Sequence, residues 1–259
     1  MIEDIKSFFW FLSKGPKYYS TLFALILTKL KPTKDSDKHT EIAKRWCEDN
    51  ISTINECLLS IGINEENLTL EEAFIPDYKR EISKIIDNSA SDFGGPGHTD
   101  LIYTICEKLK IRNAIETGVA YGWSSAAILK SISKRDGRLT SIDMPMLKQT
   151  DYDLIGVAIE KDDRKNWELR REPDRHALPI AISRMKNGIE LIHYDSDKSY
   201  YGRKWSQELI WKNLKKGGIF ISDDIEDNTA FMEFVTENNL KFSILEFEKK
   251  FVGVIKKNL

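Results

Sequence analysis

Ala114-Ile115-Glu116-Thr117-Gly118-Val119-Ala120-Tyr121-Gly122-Trp123-Ser124-Ser125 is the stretch on which the fold turns. A short apolar run, Asn113 to Thr117, breaks into a loop at Gly118 and Gly122, after which Ser124 to Ile132 takes up helical spacing. A strand that passes through a glycine turn straight into a helix opens a βα unit. Gly118 and Gly122 allow a sharp turn and let a ligand approach the backbone closely, and the following helix aims unpaired N–H groups at an anion. A dinucleotide fingerprint read from Gly118 needs glycine at positions 120 and 123, where this chain has Ala120 and Trp123. The spacing therefore suits a smaller anion, such as an amino-acid carboxylate, with Glu116 placed for the ammonium group of the same ligand. A glycine turn that holds nothing is the plain alternative.

Downstream the chain keeps alternating. Leu139 to Ile142 reads as a second strand, Trp167 to Leu169 as a short third, Ile189 to Tyr194 as a fourth and Gly218 to Ser222 as a fifth. Helical segments run over His176 to Met185, Tyr200 to Leu214 and Ala230 to Asn238, while Met144 to Asn166 reads as an irregular insertion. Phe242 to Phe247 and Phe251 to Ile255, joined by Glu248-Lys249-Lys250, are expected to form an antiparallel hairpin. Repeated βα units require a parallel sheet with right-handed crossovers and helices on both faces, an α/β fold. Ligands of such sheets sit beyond the carboxyl ends of the strands, which directs attention to the residues just after each one.

Those residues are acidic. Asp143 closes the second strand about 25 residues beyond Gly118, where an acid accepts hydrogen bonds from ribose hydroxyls. Asp174, after the third strand, falls near an adenine. Asp195-Ser196-Asp197-Lys198-Ser199-Tyr200 follows the fourth strand, and Asp223-Asp224 the fifth. Carboxylates converging in one place raise each other's pKa. A divalent cation such as Mg²⁺ among these strand-end carboxylates relieves that repulsion; helix capping, by Asp195 or Asp197 before Tyr200 and by Asp224 before Ala230, is the plain alternative. Lys198 is a candidate general base if its pKa is lowered, and otherwise a salt-bridge partner of Asp195 or Asp197.

Upstream, Phe93-Gly94-Gly95-Pro96-Gly97-His98 is a glycine-rich turn, with Thr99 placed to cap a helix through Leu109. Residues 1–75 read as a helical extension and 76–259 as the domain proper. The apolar runs Phe8 to Leu12 and Leu22 to Leu27 are interrupted by Lys14-Gly15-Pro16-Lys17, and neither approaches the ~20 residues that span a bilayer. A basic, aromatic segment of this kind suits peripheral contact with a membrane surface. It equally suits a helix packed on the domain or on a second copy in a homodimer. With 259 residues, 41% hydrophobic and 31% charged, the chain is long enough for a full core. A net charge of −2 with dispersed basic residues argues against a nucleic-acid partner. Cys47, Cys57 and Cys106 make no CxxC pair and are odd in number, which points to a reducing, cytoplasmic setting. His39, His98, His176 and His193 lack zinc-ligand spacing.

Taken in order, Gly95-Pro96-Gly97-His98-Thr99-Asp100, Glu116 to Ser125, Ser141-Ile142-Asp143-Met144-Pro145, Asp195 to Tyr200 and Gly217-Gly218-Ile219-Phe220-Ile221-Ser222-Asp223-Asp224 resemble class I S-adenosylmethionine-dependent methyltransferases. The likeness is to the bacterial methyltransferase domain 24 group, related to the cation-dependent O-methyltransferases, and it runs from about residue 90 to the C-terminus. The resemblance implies a Rossmann-like, seven-stranded, mostly parallel sheet with an antiparallel last strand. It implies S-adenosylmethionine held by His98, Glu116, Thr117, Gly118, Tyr121, Gly122, Ser124, Asp143, Asp174 and Asp195. Metal ligands match Asp195, Asp223 and Asp224, and a catalytic lysine matches Lys198, with Asp195 beside it. The chain departs in having Asp223-Asp224 where the cation-dependent relatives carry Asp-Asn, and Lys198 where the domain-24 group carries histidine. The implied reaction is methylation of a small hydroxyl-bearing acceptor, a sugar or secondary metabolite. An NAD-dependent oxidoreductase and a non-catalytic methyltransferase-like subunit are the rival expectations.

Overall fold

The computed structural model describes residues 2–89, 92–145 and 151–258. Seven strands make one sheet: β1 (Asn113–Thr117), β2 (Arg138–Ile142), β3 (Trp167–Arg170), β4 (Ile189–Tyr194), β5 (Leu214–Ser222), β6 (Phe242–Phe247) and β7 (Lys250–Lys256). Their order is β3-β2-β1-β4-β5-β7-β6. β1 to β5 pair in parallel, and β7 runs antiparallel to both β5 and β6. This is the Rossmann-like methyltransferase arrangement, and it reverses direction between β1 and β4. The β6–β7 turn is Glu248-Lys249, with φ of 50° and 67°, the left-handed pair that a two-residue hairpin requires.

Period-two alternation sends neighbouring strand residues to opposite faces. Ala114, Leu191, Ile219 and Ile221 join one core cluster, whereas Ile115, Ile192 and Phe220 join the other. The first face is covered by α4 (Ile54–Ser60), α5 (Tyr78–Asp87), α6 (Thr99–Lys108) and α7 (Trp123–Ile132). The second is covered by α3 (Asp37–Asp49), α8 (Asp174–Arg184), α9 (Tyr200–Asn213) and α10 (Ala230–Glu237). Ahead of these stand α1 (Ile2–Ser13) and α2 (Tyr19–Lys29).

Three local expectations change. Thr99 does not cap α6 but is its first residue: His98 holds the cap position, with no side-chain capping bond. β5 starts at Leu214 rather than Gly218, and pairing beside it continues into the C-terminal segment through the 2.7 Å bond from Gly217 N–H to the Lys257 carbonyl. Within the expected extension, residues 37–75 share the domain's core: Cys47, Cys57, Leu58 and Ile61 are buried in the two main clusters. The Ser52 N–H also bonds the Ile244 carbonyl at 2.7 Å. Apolar spacing in a charged segment gave no sign of which surface it covers. The irregular insertion holds short 3₁₀ turns at Tyr152–Leu154 and Asp163–Asn166; its residues 146–150 lie outside the described residues.

Candidate active site

A cavity of about 510 Å³ opens at the carboxyl ends of the strands, where an α/β sheet that changes direction leaves a crevice. Its wall brings together His98, Gly118, Tyr121, Gly122, Ser124, Asp143, Asp174, Asp195, Lys198, Asp223 and Asp224. Gly118 and Asp224, about 105 positions apart in sequence, thus meet because β1, β4 and β5 are parallel neighbours.

The loop after β1 is shaped by close backbone packing. Gly118 has φ +81°, and a Cβ there would stand 2.0 Å from the Asp195 carbonyl oxygen. Gly122 has φ +85°, and its Cβ would stand 2.6 Å from Gly156 Cα. Both glycines are therefore required by the protein's own backbone, and what they leave open is the cavity wall beside them. Asp143 braces the loop: its Oδ2 accepts from the N–H groups of Val119 (2.9 Å) and Ala120 (3.2 Å), and its Oδ1 pairs with Arg171 at 2.7 Å.

Glu116 and Thr117 are not brought to the cavity. Glu116 is fully buried, accepting from the hydroxyls of Ser125 and of Ser141 (2.8 Å), and its Oε1 stands 3.4 Å from His193 Nδ1. Its carboxylate is spent inside the protein, so the expectation that it meets a ligand's ammonium group is corrected. Thr117 is likewise buried, its hydroxyl receiving that of Ser196 at 2.8 Å.

His193 was not singled out from sequence, yet it is the centre of the buried polar system. Its Nε2 stands 3.1 Å from Asp223 Oδ2, so the imidazole bridges Asp223 and Glu116. Burial alone lowers its pKa, but the charges of Asp223 and Glu116 outweigh it and hold the ring well above its ordinary value. The available signal was a histidine inside the apolar run of β4; register places it beside Glu116. Arg203 on α9 was also missed. It is almost wholly buried, and its guanidinium donates to the carbonyls of Asp223 (3.0 Å) and Asp224 (2.8 Å), fixing the turn after β5.

Lys198 lies 3.2 Å from Asp195 Oδ1, without the alignment of a hydrogen bond, and donates to Asp224 Oδ2. Lys250 stands 3.0 Å from Asp224 Oδ1. Burial works against the Lys198 ammonium, but Asp195 and Asp224 raise its pKa overall. A lysine so held keeps its proton, and the role of general base is withdrawn. Asp224, despite burial, is held low by Lys198 and Lys250. Asp195 is pushed up to about 6 by burial and by Asp223, against the opposing pull of Lys198 and His193. Asp174, also raised to about 6 by burial, receives the Ser196 hydroxyl. His98, stacked 5.0 Å from Phe247, is lowered by burial.

As placed, Asp195, Asp223 and Asp224 do not fit a divalent ion. The ammonium of Lys198 stands between Asp195 and Asp224, and no group of three or more metal-capable side chains occurs among the described residues. Nor do the acids cap the next helices: Ser199 caps α9, and Thr229 holds the cap position of α10. Two carboxylate oxygens, Asp195 Oδ1 and Asp223 Oδ1, are buried without a hydrogen-bond partner.

Comparison with known proteins agrees with this geometry. Residues 115–225 match the family described as Methyltransferase domain. No curated protein matches the chain. Among solved structures, the O-methyltransferase from Bacillus cereus in complex with S-adenosylhomocysteine is similar at a TM-score of 0.55 and 16% identity, covering 82% of this chain and 100% of that one. The O-methyltransferase TomG from Streptomyces achromogenes, involved in tomaymycin synthesis and solved with S-adenosylmethionine, gives 0.52 and 14%, covering 83% and 99%. Residues 115–225 thus resemble a methyltransferase domain, and the sheet shares the fold of these solved enzymes.

Proposed function

We propose that the protein methylates a hydroxyl oxygen of a small acceptor with S-adenosylmethionine as donor. The reading is carried by two buried carboxylate oxygens without a hydrogen-bond partner, Asp195 Oδ1, which faces the Lys198 ammonium at 3.2 Å, and Asp223 Oδ1, on the wall of a cavity at the strand ends. Unsatisfied buried acceptors are costly and call for a donor or a cation. A hydroxyl acceptor supplies the donor, and a sulfonium nucleoside supplies the positive charge.

S-adenosylmethionine contributes the electrophilic methyl carbon; the new C–O bond forms as the C–S bond breaks, and the hydroxyl proton leaves to a base. The N-terminus of α7, with Ser124 in its first turn, offers free N–H groups to the donor's carboxylate. Asp143 faces the ribose, in competition with Arg171 for Oδ1. Asp195 takes the acceptor's proton. Its raised pKa of about 6 leaves it ionised at neutral pH yet basic enough to accept. Lys198 and Lys250 hold Asp224 and keep the acidic wall from repelling itself. Orientation of the oxygen against the methyl carbon supplies much of the rate.

The test is Asp195→Asn. Turnover is expected to fall by about 10² or more, while S-adenosylhomocysteine binding measured by calorimetry stays within a few-fold. In the parent protein kcat/KM should rise with pH through about 6 and then level. Unchanged turnover in the variant removes Asp195 as base, and absence of S-adenosylhomocysteine binding in the parent removes the whole reading.

A further inference from the structure

Residues 1–34 hold six lysines against two acids, Glu3 and Asp4, in a chain whose net charge is −2. The same segment concentrates exposed apolar surface: nine of the fifteen exposed large apolar residues described lie within the first thirty positions. Phe9 and Phe23 are each 63% exposed and Leu30 is 78% exposed. An apolar patch of this density, ringed by mostly basic charge, marks an interaction surface.

The helix pair α1–α2 is seated, so its outer face is defined. Phe11, Tyr18 and Leu22 form a small buried cluster against Met144, and Lys17 pairs with Glu172 at 2.6 Å. The turn between the helices contains Gly15 at φ +86° followed by Pro16. Phe8, Phe9, Leu12, Phe23, Ile26 and Leu30 are left outside.

We propose that this helix pair docks the protein on an anionic membrane surface. The two helices, of 12 and 11 residues, reach about 16–18 Å at 1.5 Å per residue, short of the ~30 Å hydrocarbon core, so they lie in the interface plane rather than cross it. Aromatic and aliphatic side chains enter the acyl boundary while the lysines meet anionic headgroups. Charge decides against a second copy of the chain as occupant. A two-fold contact sets a patch against itself, so exposed Lys6, Lys14 and Lys31 would meet their own like charges, while Lys17 and Lys34 are already paired with Glu172 and Glu233. An anionic bilayer complements both the charge and the apolar area. Docking also has a geometric consequence for the site: Phe11, Thr21 and Leu25 line the cavity, and Leu25 is itself exposed. The lipid surface and the cavity therefore share a wall. The docking claim stands independently of the methyl-transfer reading, because it rests on α1 and α2 alone.

The experiment is co-sedimentation of the full chain with unilamellar vesicles of phosphatidylcholine alone or mixed with phosphatidylglycerol. Binding is expected to the mixed vesicles and to be about tenfold weaker or more on neutral ones, with partial release by salt. The double variant Phe9→Ser/Phe23→Ser, at outward positions, should lose about tenfold in partition; Lys14→Glu/Lys31→Glu should lose the preference for anionic lipid. An unchanged melting temperature in both pairs establishes that the fold is intact. A parent chain that stays in the supernatant with the mixed vesicles overturns the proposal. So does a dimer in sedimentation equilibrium that Phe9→Ser/Phe23→Ser dissociates while vesicle binding is absent.

Discussion

Replacing His193 by Asn tests whether the buried imidazole is the counter-ion on which the carboxylate system depends. Glu116 is fully buried and Asp223 is nearly so, and His193 stands 3.4 Å from one and 3.1 Å from the other. Removing one partner of a buried ion pair costs about 3–5 kcal/mol, because the remaining charge stays inside without compensation. Ser125 and Ser141 continue to satisfy Glu116 Oε2, and Arg203 bonds the Asp223 carbonyl rather than its carboxylate. The loss therefore falls on Glu116 Oε1 and Asp223 Oδ2, which favours the lower end, about 3 kcal/mol. At about 2–4 °C per kcal/mol for a chain of this size, the melting temperature should drop by about 6–12 °C. The pH dependence has a definite sign. The folded-state pKa of His193 lies well above 6.5, so its contribution is complete below the unfolded value and is lost as pH rises through the folded one. Melting temperatures of the parent should accordingly decline on the alkaline side of 6.5, and those of His193→Asn should lack that component. Melts followed by circular dichroism across this range, with urea midpoints at two pH values, provide the measurement. A loss below about 1 kcal/mol, or parallel pH slopes in the two proteins, would refute the bridging role.

Gly118→Ala brings a Cβ to 2.0 Å from the Asp195 carbonyl, whereas Gly217→Ala, at nearly the same φ of +79°, meets nothing within 4 Å. The second variant should show only the ~1 kcal/mol of backbone strain and the first distinctly more, together with loss of S-adenosylhomocysteine binding; equal melting temperatures would remove the contact argument. Lys198→Arg should keep most turnover and Lys198→Met should lose it, since arginine can neutralise Asp195 and Asp224 but cannot act as a base. Equal loss in both variants would restore the proton-acceptor role. Because Lys198 and Lys250 already stand on Asp224, dialysis against EDTA should change turnover by no more than about twofold. Loss with EDTA and recovery on adding Mg²⁺ would mean that Lys198 swings away to admit a metal.

What could be read from the chain, and what could not, follows from the range of each signal. Strands β1, β4 and β6 were expected at the bounds observed, because short apolar runs bounded by turn residues are properties of neighbouring residues. The acids after the strands were found because sheet topology alone places them at one end. Their partners were not legible. Whether Glu116 faces a ligand or the interior depends on Ser125, Ser141 and His193, three residues on three elements. The glycines were expected to admit a ligand close to the backbone, whereas the atoms packed against them belong to Asp195 and Gly156, which only the folded chain brings there. Lys198 shows the difference most sharply. Its position in sequence fits a base as well as it fits a counter-ion, and the choice is made by Asp224, twenty-six residues away, and by its second lysine partner in Lys250. The separation between chemical residue type and electrostatic role is thus set by long-range contacts. The acidic wall is consequently one connected unit: Arg203 fixes the backbone after β5, His193 bonds Asp223, and two lysines pair with Asp224. In that arrangement Asp195 and Asp223 each keep one oxygen without a hydrogen bond, and Asp195 is the one pushed up to about 6, by burial and by Asp223.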